Sequence, residues 1–192
     1  VGIAWGGFNV TEGGGDSAEV ALELMPGNKI RKYDTWHAMG QGATTGSLVV
    51  TLEALKEMHL TPEDIQLIQN DTKTCPDTGM AGASRSLYMD GNATIIAANK
   101  LLAAMRKEDG TLRTYDEMKA EGIETKYLGR YETNTTPGLC RLDPNTGIGD
   151  PTPAFTYCLN LAEVEVDTKT GKTTVLKFTC VDFVGRIGNI DA

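Results

Sequence analysis

Ala18-Glu19-Val20-Ala21-Leu22-Glu23-Leu24, followed by Pro26-Gly27-Asn28 and then Ile30 to Trp36, is the stretch that decides the fold. Its apolar side chains recur at Val20, Leu22 and Leu24. A period of two marks a strand with one face in a core, because successive side chains point to opposite sides. Pro, Gly and Asn favour a turn, so the segment reads as a β-hairpin whose second arm is Ile30 to Trp36. The same design recurs late in the chain. Ala162-Glu163-Val164-Glu165-Val166 forms an arm, Asp167 to Gly171 a turn, and Thr173 to Asp182 the return arm. The repetition suggests two related halves, with a ligand pocket expected between them.

Outward from the first hairpin, Val1 to Val10 reads as a short Gly-containing strand and Glu12 to Asp16 as a Gly-rich loop. Ser47 to Met58 is helical by spacing, with Leu48, Leu52 and Leu55 on one face and Val49 beside them. Thr61 caps a short turn that has Pro62 at its first position, and Ile65 to Gln69 reads as a strand. Ser86 to about Lys107 is a long helix with Leu87, Gly91, Thr94, Ala98, Leu101 and Met105 at helical spacing. Gly91 inside it costs about 1 kcal/mol relative to alanine, so a close approach by another element is expected there. Thr114-Tyr115-Asp116-Glu117 has the form of a capping box, with Gly122 placed to end that short helix. Ile123, Thr125, Tyr127 and Tyr131 alternate along a further strand, and Thr136 to Pro153 reads as an irregular connection. The expected architecture is α+β with mixed sheets, in two related β-hairpin/helix halves. Residues 1–110 make the first half, 111–153 the connection and 154–192 the start of the second, all within one segment 1–192.

The 192 residues carry 40% hydrophobic and 23% charged side chains, ordinary values for a globular domain. A net charge of −8 argues against nucleic acid as a partner, since phosphate contacts need clustered Lys and Arg. No stretch approaches the roughly 20 apolar residues that cross a bilayer, so no membrane partner is expected. Cys75, Cys140, Cys158 and Cys180 contain no CxxC pair, which argues against zinc or iron–sulfur frameworks and for reduced, buried thiols in the cytoplasm. The triplets at Asn9, Asn70, Asn92 and Asn134 have the form of glycosylation sites, but no signal peptide precedes them. A start at Val1 instead of Met is expected of a processed or cut chain.

Two loops share one design. Met39-Gly40-Gln41-Gly42-Ala43 lies between a strand and a helix, and Gly79-Met80-Ala81-Gly82-Ala83-Ser84 precedes the long helix. At a helix start the first backbone N–H groups lack partners within the helix, and the helix dipole adds about half a positive charge. Gly and Ala let a ligand approach the backbone, so an anion can be held without basic side chains. Either loop alone also reads as plain structure. Neither is a Walker A loop or a G-x-G-x-x-G fingerprint. His37 and Cys75 are candidates for chemistry, each also readable as a structural residue, while His59 sits at a helix end where it complements the dipole; Asp71 and Asp77 flank the second loop, but nothing pairs them as acid and base. Arg85 is open between neutralising a phosphate and lying on the surface.

At these loops the chain resembles the molybdopterin-binding large subunits of the xanthine dehydrogenase/aldehyde oxidoreductase family. Met39-Gly40-Gln41-Gly42 matches that family's MGQG segment. Asn70-Asp71-Thr72, the loop Ala81 to Ser86 and Gly91-Asn92-Ala93 match its second cofactor segment. Ala162 to Asp167 with Thr170-Gly171 matches its late hairpin, and Val181-Asp182 with Gly185 and Asn189 the segment after it. The spacing and Tyr115-Asp116-Glu117-Met118-Lys119 look most like the bacterial aldehyde oxidoreductase branch. Met39 stands where that branch carries histidine and the xanthine branch methionine, so aldehyde and N-heterocycle substrates both stay open.

The resemblance implies a molybdenum-cofactor-binding fold and molybdopterin cytosine dinucleotide as cofactor. It sets Met39, Gly40, Gln41, Gly42 and Ala43 against the pterin and its phosphates. Ala81, Gly82, Ala83, Ser84 and Ser86 would surround the pterin and metal, with Ala83 nearest molybdenum and no direct metal ligand in the chain. Family members hydroxylate an aldehyde or N-heterocycle with oxygen from water and pass two electrons through the pterin to [2Fe-2S] clusters. A glutamate in a late G-x-G-E motif supplies the general base. That motif and the cluster cysteines have no counterpart here, so no catalytic residue is expected in this segment. Its expected partners are the remaining portions of the large subunit and the iron–sulfur domains, in a homodimer of the full enzyme. The alternative is a non-catalytic binding fragment or cofactor carrier.

Overall fold

The computed structural model describes residues 2–9, 16–133, 142–150, 152, 154–185 and 187. The Gly-rich stretch from Glu12 to Gly15, Cys140, Asn134, Asn189 and much of the connection 136–153 lie outside the described residues. The strands are β1 (Gly2–Asn9), β2 (Ser17–Met25), β3 (Lys29–Asp34), β4 (Ile65–Gln69), β5 (Lys126–Glu132), β6 (Phe155–Val166) and β7 (Thr173–Phe183). The helices are α1 (Ala43–Ala54), α2 (Ser86–Met105) and α3 (Tyr115–Ala120). None is long and apolar enough to cross a membrane, among the described residues.

The α+β class with mixed sheets holds. One sheet runs in the order β4-β3-β2-β5, the other β1-β6-β7. β2 and β3 form the expected antiparallel hairpin, while β3 and β4 pair in parallel. A parallel neighbour needs a crossover, and α1 supplies it. β1, from the start of the chain, pairs with β6, and β5, from the expected connection, pairs with β2.

α2 lies across the sheet because Val20, Leu22 and Leu24 turn one face of β2 toward it. Ala97, Ala98, Leu101, Leu102 and Met105 meet Leu22, Leu24, Ile30, Leu55 and Met118 in the larger core. Ala18, Val20, Met89 and Ala93 form a smaller one. The helix can sit close because Gly129 of β5 is a notch. A Cβ there would lie 2.0 Å from the Ala93 carbonyl oxygen. Gly91, where the sequence suggested the close approach, has only Val50 Cγ1 at 3.8 Å from such a Cβ. Leu87 also departs from the expected buried stripe and is 55% exposed.

α1 starts four residues before the sequence reading placed it, at Ala43, and its buried face is Ala43, Ser47 and Thr51. Leu48 and Leu52 are half-buried. The helix puts small and hydroxyl-bearing residues inward because a buried polar cluster lies beneath it. Val49, Val50 and Leu52 instead line an open groove between α1, α2 and the base of the β6–β7 hairpin. That hairpin carries exposed Val175, Leu176, Phe178, Val181 and Phe183. Among the described residues no cysteine forms a disulfide; Cys75 and Cys158 are half-buried and Cys180 exposed, so burial holds only in part.

Candidate functional site

The cleft begins with how its two bends are anchored. Thr35, just after β3, and Thr78, ahead of the second loop, exchange hydrogen bonds. Each backbone N–H donates to the other's Oγ1 at 2.9 Å. Thr78 Oγ1 also donates to the Glu19 carbonyl at 2.9 Å, fixing both loop bases to β2. Beyond Thr35, the Trp36 ring packs on α1 at Gly46, where a Cβ would come within 3.1 Å of it. The bend then closes on itself. Gln41 Oε1 accepts from the Met39 N–H, and Gln41 Nε2 donates to the His37 carbonyl at 2.9 Å. Gly40 and Gly42 take φ of 97° and 78°, values that glycine adopts without strain.

The second bend is shaped by Arg85. Its guanidinium is 3% exposed and reaches across to Asp16 with two donors, at 2.6 and 2.8 Å. The same group donates to the carbonyls of Ser17, Thr78 and Met80. Both sequence readings of Arg85 are thereby replaced. It is neither a surface residue nor turned toward the cleft, but a buried staple binding the loop to the edge of β2. A loop so held can carry Ala83 and Ser84 at φ of 48° and 52°, a left-handed pair that costs non-glycine residues energy.

The two bends face one cavity of about 420 Å³. Met39, Gln41, Gly42 and Ala43 line it from one side, and Ala81, Gly82, Ser84 and Ser86 from the other. Trp36, Gly46 and Leu87 complete the wall. Gly40 and Ala83 belong to the bends but are not part of that lining. Both helices begin at this cavity, and neither α1 nor α2 has a side-chain cap or an acid in its first turn. Two other starts in the chain are capped by side chains. Thr114 and Glu117 make a full capping box at α3, and Thr61 and Asp64 do so at the turn 62–64. The two uncapped starts leave backbone donors and positive dipole ends toward one space, which suits an anionic or metal-oxo group. The residues present therefore fit a phosphorylated pterin.

Other candidates lie outside the cleft lining. His37 and His59 are exposed. Cys75 Sγ donates to the Ile68 carbonyl at 3.1 Å, a structural bond. Asp71 accepts from the Lys73 N–H and the Thr74 hydroxyl, which holds its carboxyl below the usual range. Asp77 accepts from the Gly79 N–H and shapes the loop.

Sequence reasoning missed a buried ionic cluster below the cleft. Lys32, Asp34 and Asp90 are all fully buried. Lys32 Nζ lies 2.6 Å from Asp90 Oδ2 and 3.4 Å from Asp34 Oδ2. Burial pushes Asp90 up to about 6 against the opposing pull of Lys32. The available signal was the alternation Ile30, Lys32, Asp34, which puts two charges on the inward face of β3.

Residues 1–191 match the family described as molybdopterin cofactor-binding domain. The chain belongs to that family. It is 37% identical to the aldehyde oxidoreductase of Megalodesulfovibrio gigas over 189 residues, 98% of this chain and 20% of that protein. It is 26% identical over 152 residues to the xanthine dehydrogenase of Dictyostelium discoideum, covering 77% of this chain and 11% of the relative. The crystal structure of the aldehyde oxidoreductase from Desulfovibrio desulfuricans superposes with a TM-score of 0.89 at 39% identity, over 98% of this chain and 20% of that one. The chain thus spans about a fifth of the aldehyde oxidoreductases it matches. This molybdopterin cofactor-binding domain carries the fold of the portion of that larger enzyme which it matches.

Proposed function

We propose that the cleft between the bends at 39–43 and 81–86 holds molybdopterin cytosine dinucleotide, and that the domain is the cofactor-binding portion of a molybdenum hydroxylase oxidising aldehydes to carboxylic acids with water as oxygen source. The single observation that carries this is the convergence of two uncapped helix starts and their Gly/Ala bends on one cavity. Backbone amides of Gly42, Ala43, Gly82 and Ser84 would hold the anionic groups, and Trp36 and Leu87 would supply apolar wall beside them. Ala83, in the bend behind that lining, would be the residue nearest the metal. When bound, the molybdenum cofactor supplies the two-electron oxidation. The base and the iron–sulfur clusters come from other portions of the parent enzyme, and its homodimeric, cytoplasmic state belongs to the same proposal. The exposed apolar side chains of β7 support a fragment that needs such neighbours.

Met39 favours a second substrate class, N-heterocycles, on the branch pattern of the family. The intact protein carrying this domain, assayed with an aldehyde and with hypoxanthine in 18O-water and a dye acceptor, separates the two. An 18O-labelled carboxylate is the expected product. Labelled xanthine without aldehyde turnover would move the domain to the heterocycle class, and no turnover of either would leave a carrier.

A further inference from the structure

The Lys32–Asp34–Asp90 cluster lies where an apolar core would be less costly. Two carboxylates and one ammonium, all without solvent contact, leave one negative charge unmatched when both acids ionise. Asp90 Oδ1 has no hydrogen-bond partner among the described residues. Charges so placed are useful when they specify a geometry that apolar packing would leave loose.

Asp34 shows what is specified. Its Oδ1 accepts from Gln69 Nε2 at 2.8 Å and lies 3.4 Å from the Trp36 N–H. Its Oδ2 accepts from Ser47 Oγ at 2.7 Å. Gln69 Oε1 in turn accepts from Thr44 Oγ1 at 3.2 Å. One carboxylate therefore touches the exit of β3 toward the first bend, the first turns of α1 and the end of β4. Lys32 links the same carboxylate to Asp90 on α2, the helix that the second bend leads into, and its ammonium lies 6.0 Å from the centroid of the Trp36 ring in the cleft wall.

We propose that Asp34 is a positioning residue for the ligand of the cleft: braced by Lys32 and Asp90, it fixes the bend 36–42 and the start of α1 relative to α2. The ligand part rests on the cofactor reading above. The positioning part does not, and the two are tested apart. Asp34 touches no ligand itself.

The test compares Asp34→Ala, Ser47→Ala and Asp34→Asn in the intact protein with Met118→Ala, a core truncation on the buried face of α3 away from the cluster. Hydrogen–deuterium exchange of residues 36–47 is read with and without cofactor, alongside molybdenum retained per folded protomer after dialysis. Asp34→Ala is expected to speed exchange of that segment at least tenfold and Ser47→Ala severalfold. Asp34→Asn, which keeps an acceptor oxygen, restores most of the protection. Met118→Ala leaves the segment protected despite its lower stability. Molybdenum loss is expected to follow the same order. Equal exchange in Asp34→Ala and Met118→Ala, or wild-type protection in Asp34→Ala, would overturn the proposal. A wild-type protein that holds no molybdenum, with the exchange pattern intact, refutes the cofactor reading and leaves the positioning result standing.

Discussion

Replacing Arg85 with methionine keeps most of the side-chain volume and removes five donor contacts. Two go to the Asp16 carboxylate and three to carbonyls of Ser17, Thr78 and Met80. A hydrogen bond to a charged group contributes roughly 1.5–3 kcal/mol, but bonds sharing one guanidinium do not add. Breaking a buried pair from one side costs about 3–5 kcal/mol, because the surviving charge is stranded. Asp16 remains 26% exposed and recovers some hydration, which favours the lower part of that range. The expected loss is about 3–4 kcal/mol, read as a fall in urea midpoint at unchanged slope. A cycle with Asp16→Asn isolates the pair and should give a coupling above about 1.5 kcal/mol. The loss should change little with salt, as buried pairs are poorly screened. If Arg85→Met costs under about 1 kcal/mol in the ligand-free protein, yet abolishes ligand binding, the staple is wrong and the phosphate role returns.

Glycine positions give a paired prediction. Gly129→Ala places a methyl against the backbone of α2, 2.0 Å from the Ala93 oxygen and 2.6 Å from the Ala97 nitrogen, and should cost about 3 kcal/mol or more in urea unfolding. Gly91→Ala meets only Val50 at 3.8 Å and should gain about 0.5–1 kcal/mol by relieving the helix. For pH, Asp90 rises from 3.8 to about 6 in the folded protein, so the folded state binds its proton more tightly than the unfolded chain. Its contribution is fully present below about pH 4 and lost as pH rises through about 6. At about 1.4 kcal/mol per pH unit this is on the order of 3 kcal/mol. Urea unfolding should thus show higher stability at pH 5 than at pH 7.5, and Asp90→Asn should flatten that difference. A wild-type curve that rises over the same window would contradict the assignment.

What the sequence could reveal followed from how local the cause was. The β2–β3 hairpin was legible because Val20, Leu22 and Leu24 alternate and Pro26-Gly27-Asn28 turns the chain. The α3 start was legible because a capping box is a four-residue signal. α1 was misread because its inward residues are Ala43, Ser47 and Thr51, while Val49, Val50 and Leu52 face a groove whose neighbour no local pattern encodes. Gly91 drew attention as a helix-interior glycine, yet the close approach is at Gly129, where only the crossing of α2 over β5 creates it. The cleft residues were legible as two Gly/Ala bends before helices, since backbone donors need only small side chains. Lys32 and Asp34 were not, because charged residues are rarely buried and nothing in β3 itself announces Asp90 opposite.

Cofactor binding in this domain depends on two bends sharing one anionic guest. Anomalous scattering at the molybdenum edge, from crystals of the intact loaded protein, tests it most directly. One peak is predicted beside the cleft, between Gln41–Ala43 and Gly82–Ser84 and nearest Ala83. A molybdenum peak remote from both bends, or a cleft filled by protein side chains in a fully loaded enzyme, would contradict it.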